Sequence, residues 1–195
     1  IMWNNRNAKR KQTGTLIHWY GSFLDQLSEE EAKKCVLLLH TDPNDPYGQD
    51  VNAILSDFNL NNGQVLVSSE KVPPSNLAAM YNICDVTVNI SDAEGFGLGT
   101  LESLSCGTPI IVNMTGGLQE QITDGKKEFG IPLYPASKGI IGSQNIPWIY
   151  EDRLNGADVT EAMEKMFNLT NKQREKMGKL GRKHVMKNYN FETFN

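Results

Sequence analysis

The chain has 195 residues and a net charge of −4 at neutral pH, enough length for one domain, residues 1–195, with a full core. The acidic balance gives no general attraction to nucleic acid or to an anionic membrane. No apolar run approaches the about 18 residues of a membrane span, and no secretory leader opens the chain, so a soluble, cytoplasmic protein is expected. The three cysteines, Cys35, Cys84 and Cys106, are odd in number and form no C-x-x-C pair; they read as free thiols in a reducing compartment. A start at Ile1, close to motif material, suggests a piece of a longer polypeptide.

In chain order, short apolar runs alternate with helical periodicity. A strand is expected over 1–4, followed by Asn5-Arg6-Asn7-Ala8-Lys9-Arg10-Lys11, four cations within six residues. A helix over 13–27, a strand over 35–40, a helix over 50–59 and a strand over 64–68 come next. Leu77, Met80, Tyr81 and Cys84 recur at i, i+3, i+4 and i+7, the stripe of an amphipathic helix. Strands over 86–90, 109–113 and 130–133 complete the alternation. Residues 135–156 are rich in Gly, Pro, Ser and Asn and read as an irregular excursion or small hairpin. The tail is helical: Asp158 with Glu161, and Thr170 with Gln173, fit the capping spacing. Met177, Leu180, His184 and Val185 would form the buried stripe of the last helix. The class is α/β, a Rossmann-like doubly wound parallel sheet with a helical C-terminal tail.

Between the fourth strand and the helix that follows lies Ser91-Asp92-Ala93-Glu94-Gly95-Phe96-Gly97-Leu98-Gly99-Thr100-Leu101-Glu102. It sets Glu94 and Glu102 eight positions apart around a glycine-bracketed turn. Such a turn lets a ligand approach the backbone, and a helix N-terminus attracts anions. In an open parallel sheet, ligands bind outside the carboxyl ends of the strands. Three loops leave such ends with suitable chemistry: the basic run, the Glu94–Glu102 segment, and Met114-Thr115-Gly116-Gly117. Converging, they would offer a phosphate cations, backbone N–H groups and a helix dipole, and leave carboxylates to bind hydroxyls. A sugar carrying a phosphate suits this better than a metal or an acyl group.

Singly, these features say little. A basic run is commonly a solvated or RNA-binding patch, Gly-Gly marks a turn, and an E-x7-E spacing arises by chance. A glycosidase pair would hold its carboxyls about 5–9.5 Å apart; the placement of one Glu in a loop and one in a helix favours two hydroxyl-binding roles instead. His18, His40 and His184 have no partner at metal-ligand spacing and read as packing or capping residues.

The combined string is more specific. Glu94-Gly95-Phe96-Gly97-Leu98, Leu101-Glu102, Cys106-Gly107-Thr108-Pro109-Ile110-Ile111-Val112 and Gly116-Gly117 resemble the retaining GT-B glycosyltransferases of family 4, also called group 1. The similarity is to their C-terminal, nucleotide-sugar-binding domain, one half of a GT-B fold. Tyr81-Asn82-Ile83-Cys84-Asp85-Val86, Asp124-Gly125 and Gly130 extend it, and Arg6 with Lys11 fits the family's "GR…KG" element. The resemblance implies that Glu94 contacts hydroxyls of the donor sugar and favours positive character near the anomeric carbon. It implies that Glu102 holds the ribose, and that Arg6 and Lys11 neutralise the diphosphate as the glycosidic bond breaks. Backbone N–H groups of Gly95, Phe96, Gly97, Leu98, Gly116 and Gly117 would complete the donor cradle.

The implied donor is a UDP-, GDP- or ADP-sugar, with no prosthetic group and no metal; the absence of Asp-x-Asp agrees. The acceptor is a sugar, lipid or protein, and an N-terminal domain that would bind it is absent, so the chain alone should transfer little. Gln12 replaces the family's glycine after the lysine, and Phe191 replaces a frequent tryptophan. Other readings are a non-catalytic sugar-nucleotide module, a GT-B sugar-nucleotide epimerase, and an interaction or RNA-binding domain built on Arg6–Lys11.

Overall fold

The apolar runs become strands because each is buried on both faces between helices. In a computed structural model, which describes residues 1–190, these are β1 (Met2–Asn4), β2 (Leu37–His40), β3 (Val65–Ser68), β4 (Thr87–Asn89), β5 (Ile110–Asn113) and β6 (Gly130–Leu133). All pair in parallel, in the order β3-β2-β1-β4-β5-β6. That is the doubly wound order, whose strand sequence reverses between β1 and β4. The edge strand β3 is the exception to two-sided burial: Leu66 and Val67 are solvent-exposed.

Helices α1 (Thr13–Leu24), α2 (Glu29–Ala32), α3 (Val51–Asp57), α4 (Pro74–Ile83), α5 (Leu98–Cys106), α6 (Leu118–Ile122), α7 (Gly156–Asn168) and α8 (Asn171–Asn188) cover the sheet. Two cores result. Leu16, Tyr20 and Phe23 of α1 meet Val159, Met163 and Met166 of α7 over one face, with Val88 and Ile111 from the sheet. Leu104, Leu118, Ile122 and Val185 fill the other, with Ile110 and Val112. The alternation of Ile110, Ile111 and Val112 between the two cores is the period-two pattern of a central strand.

Several expectations change in detail. Asn155, not Asp158, caps α7: its side chain accepts from the Ala157 N–H at 3.1 Å, leaving Asp158 in the first turn, where a carboxylate suits the dipole. Thr170 and Gln173 do form the capping box of α8. Of the α4 stripe only Tyr81 is fully buried. Of the α8 stripe only Val185 is buried, joined by Gly178 and Gly181. The 135–156 excursion is an antiparallel hairpin, β7 (Ser137–Ile141) with β8 (Ile149–Arg153). All three cysteines are free. His40 Nδ1 lies 3.0 Å from Ser68 Oγ, and His184 packs on Phe129. No helix among the described residues is long and apolar enough to cross a membrane. Phe191 lies outside the described residues.

Gly178 sits where α8 approaches the Gly107 turn: an added Cβ would collide with the Gly107 carbonyl oxygen and lie 3.4 Å from Pro109. Ala in an open helix interior would gain about 1 kcal/mol over Gly. Here overpacking of about 1–3 kcal/mol opposes that gain, so Gly178→Ala should lower the unfolding free energy in urea titration. A rise would mean that α8 is not seated on this turn.

Candidate functional site

The topological switch between β1 and β4 brings the two charged loops side by side. After β1 the chain makes one 3-10 turn, Lys9–Lys11, and passes into α1 through Gln12 in the left-handed region (φ 60°, ψ 38°). This conformation explains why the resembled family has glycine there: a residue with a Cβ pays about 1–2 kcal/mol for it. The Gln12 side chain compensates. Its Nε2 donates to Asp92 Oδ2 and its Oε1 accepts from Thr15 Oγ1 at 2.6 Å.

Five contacts lace the β1 and β4 loops together. Lys11 Nζ forms an ion pair and hydrogen bond with Glu94 Oε2, and the two side chains are only 7% and 8% exposed. Arg10 donates to the Ala93 carbonyl at 2.7 Å and lies 3.7 Å from Glu94 Oε1. The Asp92 N–H donates to the Arg10 carbonyl at 2.9 Å, and Gln12 reaches the Asp92 carboxylate. Burial pushes the Lys11 ammonium below its ordinary value, with the hydrogen bond and charge of Glu94 opposing. Burial likewise raises the Asp92 carboxyl; the Gln12 hydrogen bond opposes this, the charge of Glu151 adds to it and that of Arg153 opposes it.

Past Glu94 the chain turns through Gly97 (φ +81°) into α5, whose N-terminus no side chain caps. Its first-turn N–H groups and dipole therefore present a positive end beside Glu94. Gly116 and Gly117 pack on this loop. A Cβ on Gly116 would strike the Glu94 carbonyl, and one on Gly117 would lie 2.7 Å from that of Gly95. The Gly117 N–H donates to the Gly95 carbonyl at 3.2 Å and the Glu94 carbonyl at 3.4 Å, so it braces the loop from within. Buried Gln121 adds a bond from Nε2 to the Phe96 carbonyl at 2.5 Å. Phe96 and Leu98 project outward, Phe96 edge-on to Tyr189.

Glu102 stands apart, one turn into α5. Its Oε2 accepts from Tyr81 Oη at 3.0 Å and from Asn4 Nδ2 at 3.4 Å. Asn4 also donates to Tyr81 Oη at 2.7 Å. Burial, chiefly, drives the Tyr81 phenol upward, which keeps it a neutral donor. The two glutamates thus have different surroundings, cations for Glu94 and neutral donors for Glu102. Arg6 is not brought to them. It pairs with Asp45 at 2.5 and 3.2 Å and lies over the Tyr47 ring. Among the described residues, no group of three or more His, Cys, Asp or Glu side chains could hold a metal ion.

Sequence reasoning passed over Asn4, Gln12, Tyr81, Asp92 and Gln121 as site partners. Gln12, Tyr81 and Asp92 carried a signal, the first as a departure from the expected glycine, the second within the Tyr81-to-Val86 segment of the resemblance and the third within the central segment. A cavity of about 220 Å³ lined by Ile1, Cys35, Val36, Val86 and Met163 lies at the opposite, N-terminal end of the strands.

Comparison with known proteins gives consistent matches. The family model described as "Glycosyl transferases group 1" matches residues 54–184. The D-inositol 3-phosphate glycosyltransferase of Acidothermus cellulolyticus is 31% identical over 115 residues, 58% of this chain and 25% of that protein. The protein of the same name from Paenarthrobacter aurescens is 30% identical over 136 residues, 66% of this chain and 28% of that protein. The chain thus spans about a quarter of the length of these curated relatives. Among solved structures, sucrose-phosphate synthase from Thermosynechococcus elongatus superposes with a TM-score of 0.73 at 23% identity, over 98% of this chain and 41% of that one. The C-terminal domain of a glycosyl transferase group 1 family protein from Francisella tularensis gives 0.70 at 18% identity, over 97% and 86%. These likenesses place the fold among the GT-B glycosyltransferases.

The raised Asp92 carboxyl makes a pH prediction. The folded state keeps its proton longer than the unfolded chain does, so ionising Asp92 lowers stability as pH rises from the unfolded value of about 3.9 to the raised folded one. Asp92→Asn removes this loss while leaving Gln12 an acceptor. Urea unfolding across that window should show the difference between variant and wild type moving in the variant's favour as pH rises. A difference that does not change with pH would contradict the assignment.

Proposed function

Since this chain belongs to the glycosyl transferases group 1 family, we propose that it is the donor-binding, C-terminal half of a retaining, family 4 enzyme using a nucleoside-diphosphate sugar. The observation that supports this best is the buried Lys11–Glu94 pair at the switch point, beside the uncapped N-terminus of α5. A diphosphate there meets a fixed cation and a helix dipole together. Glu94 is then placed to accept from hydroxyls of the donor sugar. Glu102, with both protein bonds on Oε2, has its other oxygen for the ribose hydroxyls, as acidic residues do in related nucleotide folds.

As the glycosidic bond breaks, negative charge grows on the departing diphosphate. Lys11, with Arg10 and the N–H groups of α5, stabilises that charge in place, without a metal. The leaving diphosphate oxygen takes the proton of the incoming acceptor hydroxyl on the same face, which retains configuration. Arg6 assists if its pairing with Asp45, on the exposed side of the loop, exchanges for the diphosphate. The acceptor would come from an N-terminal domain forming the other wall of the cleft, so the chain alone binds donor and transfers little. An RNA surface built on Arg6–Lys11 is disfavoured, because Lys11 is turned inward onto Glu94.

Calorimetry with UDP, GDP, ADP and their sugar conjugates tests the proposal. One diphosphate should bind saturably, and Glu102→Ala should weaken it about tenfold or more, the worth of a charged hydrogen bond. Absence of binding by folded wild type, or an unchanged affinity in the variant, would contradict the donor site.

A further inference from the structure

The β7–β8 hairpin takes no part in the chemistry just described, yet its base is built into the site. Asp152 is bonded to both loops that flank Glu94. Its N–H donates to the Asp92 carbonyl at 2.7 Å. Its carbonyl accepts from Asn113 Nδ2 at 2.6 Å, and its Oδ2 accepts from Thr115 Oγ1 at 2.8 Å. Lys138, across the hairpin, holds Oδ1 at 3.2 Å. Asn113 is fully buried and also donates to the Ser91 carbonyl at 2.9 Å. The Asp92 peptide is therefore clamped from two sides, by Arg10 through its N–H and by Asp152 through its carbonyl. Glu94 follows two residues later, and Gly116-Gly117 follow directly on Thr115.

The outer hairpin has a different character. Residues 139–150 contain no charged side chain, and Ile140, Trp148 and Tyr150 are well exposed there. The attachment to the site described here is made at the base.

We infer that Asp152 is a positioning residue of the donor site, fixing the Glu94 loop and the Gly116-Gly117 loop relative to each other. The inference rests on the donor-site reading above. Misplacing a reacting group by about 1 Å can cost about a hundredfold in rate, so the relative position of the two loops matters to the site. Asp152 ties both to a third element.

Two readouts test it: calorimetric affinity for the nucleoside diphosphate that wild type binds, and amide hydrogen exchange at Asp92 and Gly117. Asp152→Ala keeps the two backbone bonds and removes the tie to Thr115; it should weaken diphosphate binding about tenfold, the worth of a charged hydrogen bond, and speed exchange at Gly117 more than at Asp92. Asp152→Asn retains an acceptor for Thr115 and should restore most of the affinity, since the exposed Lys138 pair contributes little. Trp148→Ala, at the exposed end, should leave both readouts unchanged. Thr115→Val removes the same side-chain bond from the other partner, and serves if Asp152→Ala fails to fold. Wild-type affinity and wild-type exchange in Asp152→Ala would overturn the inference. If wild type binds no diphosphate, the donor reading falls, and exchange alone decides whether Asp152 couples the two loops.

Discussion

The buried ion pair between Lys11 and Glu94 is the constraint around which the rest of this end of the molecule is arranged. Neither charge could be withdrawn from water alone; an unpaired buried charge costs several kcal/mol, whereas the pair offsets much of that cost. Forming it requires the loops after β1 and β4 to meet, which the reversal of strand order between those strands brings about. It also requires the backbone to turn sharply into each following helix. Both turns pass through the left-handed region, at Gln12 and at Gly97. The second suits a glycine; the first is held by the bonds of Gln12 to Asp92 and Thr15.

Around the pair, close backbone approach does what side chains do elsewhere. Gly116 and Gly117 lie against the carbonyls of Glu94 and Gly95, so the loop carrying Glu94 is supported from beneath by main chain. Gln121 and Asp152 add side-chain and backbone bonds at its two ends. The scaffold below is ordinary by comparison, a six-stranded parallel sheet with an apolar core on each face. A rigid sheet beneath and braced loops above hold polar groups at fixed positions, which is what electrostatic preorganisation requires.

Much of this was legible in the sequence, and for physical reasons. The strands stood out because residues such as Ile110, Ile111 and Val112 are apolar on both faces, and Gly-rich turns punctuate them. The Glu94 segment was legible because glycine, acid and helix signals coincide within twelve residues. What escaped depended on contacts between residues distant in sequence. Asp152 looks like any charge in a polar excursion until Asn113 and Thr115 are beside it. Tyr81 reads as a stripe residue, since hydropathy is blind to where its hydroxyl points. Arg6 finds Asp45, which lies in another loop 39 residues further along the chain. In α8, Gly178 and Gly181 make the close packing, and glycine has no hydrophobic signature to betray it.

A double-mutant cycle on Lys11→Met and Glu94→Gln, read as unfolding free energy, tests this arrangement most directly. Glu94→Gln strands the Lys11 charge and should cost about 3–5 kcal/mol; Lys11→Met leaves Glu94 only the partly exposed Arg10 and should cost somewhat less, while the double variant should cost far less than the sum of the two. Additive single effects would contradict the account: the two loops would then not be joined by this pair.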